Sequence, residues 1–173
     1  MTEPPAPIER TVDGDFRVHL GPDERDLLRR LTAELEELLA AEPEDPSLRR
    51  LRPRAYEDDQ VEREYRSLMG SELESLRLEN LRALAETAGR DRLDAGELDR
   101  WLAALNDLRL VLGTRLDVSE DEFADGFDPS APHAYELAVY AFLTWLQEAA
   151  IQAASSHLSG GASAGQSPAS PTT

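Results

Sequence analysis

The strongest periodicity in the chain lies between residues 98 and 112. At about 100° per residue, Leu98, Trp101, Leu102, Leu105, Leu108 and Leu112 fall on one helical face. Asp94 and Glu97 supply a start signal, a capping carboxylate followed three residues later by a glutamate, and Leu93 is placed to staple against Leu98. Gly113 supplies a stop. Arg109 falls in the middle of the apolar face. A guanidinium there is costly unless something pairs with it.

The other segments follow the same logic. Residues 1–11, with Pro4, Pro5 and Pro7, read as a disordered lead. Phe16, Val18 and Leu20 share one side of a short strand, and the turn at Asp13-Gly14 predicts a β-hairpin. Gly21-Pro22-Asp23-Glu24 opens a helix whose stripe is Leu27, Leu28, Leu31, Leu35, Leu38 and Leu39, and Pro43 and Pro46 end it. A short helical turn before Pro53 groups Leu48 with Leu51. A further helix is predicted over 57–68. Ser71 and Glu74 form a capping box for another, with Leu73, Leu76, Leu81, Leu84 and Ala88 as its apolar face; alternatively, Gly70 only kinks one long helix. Residues 117–128 form an acidic loop.

The last helix starts near Ser130 or Pro132 and runs to about Ala154. Tyr135, Ala138, Phe142, Trp145 and Ala149 make one face, and Leu137, Tyr140, Ala141 and Ile151 another, so it reads as central and buried. Residues 155–173, mostly Ser, Gly, Ala, Pro and Thr, read as a disordered tail. The expected fold is all-α, a mainly helical bundle with a short N-terminal β-hairpin. It forms a single domain over 12–154, built around the 94–113 and 132–154 helices.

Charge narrows the function classes. The net charge is −17, from 35 acidic residues against 18 basic ones, and every basic residue is Arg. That balance argues against general binding to phosphate backbones and fits a protein that meets a basic partner. With no Cys in the 173 residues, disulfides, thiolate nucleophiles and zinc–thiolate sites are excluded here. The most apolar window, Leu137 to Leu146, is about half the roughly 20 residues that a membrane span needs. Residues 1–15 lack a basic region followed by an apolar run, so a cytoplasmic location is expected.

Candidate chemistry is sparse. Glu148 and Thr144 interrupt the Tyr140/Ile151 face of the last helix, which makes Glu148 the preferred mate of Arg109, with Asn106 at the edge. Three readings of Arg109 stand: a structural polar lock, a site for an anionic small molecule, and a guanidinium that snorkels to solvent. The acidic loop fails the EF-hand pattern, since counting from Asp117 puts Glu122 where glycine is needed. His19, His133 and His157 are scattered, so no metal or other cofactor is expected. The one Gly-x-Ser-x-Gly string, Gly161 to Gly165, lies in the low-complexity tail with no strand-to-helix turn to make it a nucleophile elbow; there is no glycine-rich phosphate loop, and an enzyme is not expected. Arg49, Arg50, Arg52 and Arg54 form the basic island, a candidate partner-binding patch, with Glu44, Asp45, Glu57, Asp58 and Asp59 close enough to neutralise it. Neither the 94–113 nor the 132–154 helix has the basic character of a helix-turn-helix reader.

The order of segments carries a resemblance. Phe16-Arg-Val-x-Leu20 precedes a leading amphipathic helix, and Leu48-Arg-Arg-Leu-x-Pro-x-Ala-Tyr56 follows it. Then come Trp101-Leu-x-Ala-Leu-Asn-Asp-Leu-Arg-Leu-x-Leu-Gly-Thr114 and Tyr140-x-x-Leu-Thr-Trp-Leu-Gln-Glu148. Together these resemble the actinobacterial AosR-type family, catalogued as a domain of unknown function, over roughly residues 12–154. The resemblance implies a non-enzymatic role in regulating transcription under oxidative stress, in cooperation with an alternative sigma factor. It carries over motif positions Asn106, Asp107, Arg109, Gly113, Gln147 and Glu148. Asp107 points away from Arg109 on the helical wheel and is expected at the surface. With no Cys, a thiol–disulfide switch cannot operate within this sequence. The leading reading is therefore a regulator acting through protein contact. The alternatives are a direct DNA binder and an anion sensor built on Arg109.

Overall fold

The computed structural model describes residues 5–117, 130 and 132–156. In chain order the elements are β1 (Ile8–Arg10), β2 (Phe16–Val18), α1 (Pro22–Ala41), a 3-10 turn (Pro46–Arg50), α2 (Asp59–Thr87), β3 (Arg92–Leu93), α3 (Ala95–Leu116) and α4 (Ala134–Ser155). The architecture is mainly helical with a small antiparallel sheet of order β1-β2-β3.

The hairpin forms where the sequence predicts it. Gly14 supplies the left-handed backbone of the turn, with φ 93°. Ile8 pairs with Val18 and Arg10 with Phe16. β1 thus falls inside the stretch read as a disordered lead, because Ile8, 2% exposed, has a core to enter that the proline-rich composition conceals. A third strand, not foreseen, is held to β2 by pairing of Phe16 with Leu93 and by Arg92, which bonds Asp13 and Asp15. Arg25, at the start of α1, donates to the carbonyls of Leu20, Ala88 and Arg90 and so ties α1 to the turn after α2.

α3 is the central helix: it packs against α1, α2, α4 and the 3-10 turn. Its Asp94/Glu97 capping box forms as expected. The helix does not stop at Gly113 but continues to Leu116 and ends on Asp117 in the left-handed conformation. Gly113 instead permits close approach, since a Cβ there would lie 3.0 Å from Cε2 of Tyr140 on α4. Trp101 is fully buried, and its indole N–H donates to Thr87 Oγ1 at 2.7 Å, joining α3 to α2.

One open alternative about the helices is settled, and one expectation changes. Residues 57–89 hold one helix, α2, with Gly70 inside it and Glu74 serving as an ion-pair partner instead of a cap. α4 is not central. It buries Val139, Leu143, Leu146, Ala150 and Ala153 against α3 and β1, and leaves Tyr135, Trp145 and Ile151 exposed. Helix α4 is apolar enough to be wrapped, but α3 already fills the centre.

Candidate functional site

Arg109 sits at the α3–α4 contact. Its Nε donates to Thr144 Oγ1 at 3.0 Å and its Nη1 to Gln147 Oε1 at 2.6 Å. The guanidinium carbon lies 5.4 Å from the centre of the Tyr140 ring, within range of a cation–π contact. Thr144 passes its own proton back to the Tyr140 carbonyl, which leaves its oxygen free to accept from Arg109. The pairing with Glu148 does not form: Glu148 is exposed, and one residue of helix turns its carboxylate about 100° away from the contact. Asn106 is exposed and stays outside the cluster. The lock is therefore a cation held by neutral oxygens and an aromatic face.

Asp107 corrects a second expectation. It is not at the surface: its side chain is 15% exposed, and it accepts from Arg77 Nε of α2 at 3.0 Å. Arg77 also donates to Glu74 and to the carbonyl of Leu51. Glu74 in turn accepts from Arg52 at 2.7 Å. A chain Arg52–Glu74–Arg77–Asp107 thus stitches the segment after the 3-10 turn to α2 and α3. Burial pushes the Asp107 carboxyl above the usual aspartate range, against the pull of the Arg77 guanidinium, and Glu74 adds to the rise.

This chain forms part of the lining of a cleft of about 750 Å³ between residues 51–55 and α2. Its walls are apolar at Leu51, Tyr65, Leu73 and Leu76. At its far end Glu62 accepts from the backbone N–H groups of Ala55 and Tyr56 and from Arg66 Nε at 2.6 Å. The Arg66 bond, with help from the two backbone donors, holds the Glu62 carboxyl below the usual glutamate range in spite of its burial.

The basic island is largely spent within the chain. Arg52 is bound to Glu74 and the Pro43 carbonyl, and Arg54 to Asp59 at 2.5 Å and to the Glu57 carbonyl. Arg49 and Arg50 are exposed. No cluster of His, Cys, Asp or Glu that could hold a metal occurs among the described residues. His19 lies near Glu9, and His133 near Glu136. His157 and almost all of the acidic loop lie outside the described residues. None of the described helices is long and apolar enough to cross a membrane. Arg77, Glu74 and Glu62 were missed from sequence. The available signal was that α3, apolar nearly all round, had to face neighbours on more than one side.

A model of the domain of unknown function DUF2017 matches residues 5–154, from just before β1 to the last turn of α4. The chain belongs to this family. It is 32% identical over 181 aligned residues to the oxidative stress regulator AosR of Mycobacterium tuberculosis, covering 80% of this chain and 82% of that protein. The AosR protein of Mycobacterium bovis matches to the same extent. No solved structure matches the chain. The DUF2017 match takes in both polar networks, the Arg109 lock and the Arg77–Asp107 chain.

Proposed function

We propose that this DUF2017 protein is a non-enzymatic regulator of the response to oxidative stress, acting by contact with a protein of the transcription machinery, with an alternative sigma factor as the partner class. The observation that carries this reading is the similarity to AosR regulators over four-fifths of both chains. The surface agrees with it. A charge of −17 favours encounter with a basic partner, and the exposed Trp145 and Tyr135 are the side-chain types that anchor protein interfaces. Arg52 and Arg54 are neutralised internally, which leaves the basic island poorly equipped for phosphates. Because this sequence has no thiol, the redox signal reaches it through the partner.

The test is a deletion of the gene in the host of origin, challenged with peroxide and a thiol oxidant and complemented with the intact gene. Loss of oxidant-induced transcripts, restored by complementation, supports the reading. An unchanged transcript profile overturns it. Retardation of promoter DNA by the purified protein alone transfers the role to direct DNA binding.

A further inference from the structure

In a sequence without Cys, one-electron oxidation falls on tyrosine and tryptophan. Of the four tyrosines, Tyr56 and Tyr65 stand in ring contact, with centroids 5.5 Å apart and planes at 68°. This is an edge-to-face pair. Tyr56 is 46% exposed, and Tyr65 is half-buried on the wall of the cleft, so a small oxidant reaches both. Tyr135 and Tyr140 are nearer in sequence but lie about 140° apart around α4. There Tyr135 accepts from Arg30, and Tyr140 lies against the Arg109 guanidinium.

The chain builds this contact from both sides. Glu62 sits three residues before Tyr65 on the same face of α2 and accepts from the N–H groups of Ala55 and Tyr56 at 2.9 and 3.0 Å. Arg54 is tied to Asp59 and to the Glu57 carbonyl. The backbone of Tyr56 is thus fixed beside α2, while its ring, outside any helix, keeps rotation about its own side-chain bonds. Neither phenol hydroxyl makes a hydrogen bond among the described residues, so each can pass its proton to water. We propose that Tyr56 and Tyr65 are a site of oxidative cross-linking, where a radical or high-valent metal oxidant joins the two rings as dityrosine. Each phenol gives one electron to the oxidant and one proton to water. The two phenoxyl radicals couple through carbons ortho to their oxygens, forming one C–C bond. The hydrogens on those carbons then move, by exchange with water, to the oxygens and restore both rings. In total two electrons and two protons leave the chain. Holding the rings together replaces a chance encounter of radicals with a local one. The product fastens the segment before α2 to the helix at one end of the cleft. The inference goes beyond the regulatory reading and does not depend on which protein is regulated: it gives a chain without thiols a covalent response of its own, alongside the signal that arrives through the partner.

The test is photo-oxidation of the intact purified chain with tris(bipyridyl)ruthenium and persulfate, at a dilution that suppresses contact between molecules. Dityrosine fluorescence appears in the monomer band of a denaturing gel. Because Arg63 lies between the two tyrosines, trypsin leaves the product as peptide 55–63 bonded to peptide 64–66, lighter than their sum by the two hydrogens lost. Tyr56→Phe and Tyr65→Phe each abolish it, Tyr135→Phe does not, and in urea its yield falls at least about threefold. The isolated cross-linked protein melts about 3 °C or more above the untreated one. Absence of the cross-linked peptides from the folded protein overturns the proposal. So does an equal yield in urea, or coupling of Tyr135 with Tyr140 as readily in the folded chain. An unchanged melting temperature overturns the fastening of the segment to α2.

Discussion

Arg109 is held without a counter-ion, and this sets what its neighbours are worth. Gln147 Oε1 is one of its two hydrogen-bond acceptors across the helix contact, whereas Glu148 faces solvent. Gln147→Leu removes an acceptor from a half-buried cation and lowers unfolding free energy by about 1–3 kcal/mol. Glu148→Gln shifts it by less than about 0.5 kcal/mol. Urea denaturation of the two variants checks the contrast, and equal effects would restore Glu148 as the mate. The misfit charge itself was legible in sequence, and so was Thr144 as a nearby position; Gln147 stood only as a motif position of the resemblance. The choice between Gln147 and Glu148 was not, because it depends on a rotation of α4 that only packing fixes. Glu62 gives a pH-dependent prediction. Its carboxyl lies below the ordinary glutamate value of about 4.3, so its contribution is present above that pH and is lost as pH falls through the folded value. Melting temperatures of the intact protein and of Glu62→Gln therefore differ most near neutrality and converge in acid; a gap that persists or widens in acid contradicts the assignment.

Among the elements, α2 takes the second of the two forms its sequence allowed, one long helix through Gly70. Ser71 and Glu74 have the spacing of a capping box, yet the backbone runs helically from Asp59 to Thr87. A local capping signal loses to continuity when both flanks are helical and when Glu74 has Arg52 and Arg77 to bind. The cap that does operate is Asp58, whose side chain accepts from Gln60 and Val61. Gly70 is then a glycine inside a helix, with nothing within 4 Å of where a Cβ would stand. Gly70→Ala raises stability by about 0.5–1 kcal/mol, read by thermal or urea unfolding. No gain, or a loss, would mean that the helix breaks there. The hairpin, α1, the 3-10 turn and the Asp94 cap were legible because each rests on local chemistry. β3 and the exposure of α4 were not, since a two-residue strand has no period and an apolar helix does not announce which of its sides is covered.

At the scale of the whole molecule, a helical body centred on α3 presents a strongly acidic exterior with apolar helix faces left open on α2 and α4. Many of the described arginines are held in ion pairs or carbonyl bonds, and several of these, such as those of Arg25, Arg52, Arg77 and Arg92, fix one element to another. The residues that carry the resemblance in sequence, around Arg109 and Asp107, thus lie in helix–helix contacts. Sequence could identify the lock because burial of a charge conflicts with a periodic pattern; it could not identify an open face, which differs from a buried one only through its neighbours. The central claim, that the protein regulates by touching another protein, is tested most directly by biolayer interferometry against RNA polymerase from the host of origin, assembled with its alternative sigma factor. The account predicts saturable binding without DNA that weakens as salt rises, as expected of an acidic protein meeting a basic one. No binding to the holoenzyme, with retardation of promoter DNA by the protein on its own, would contradict it.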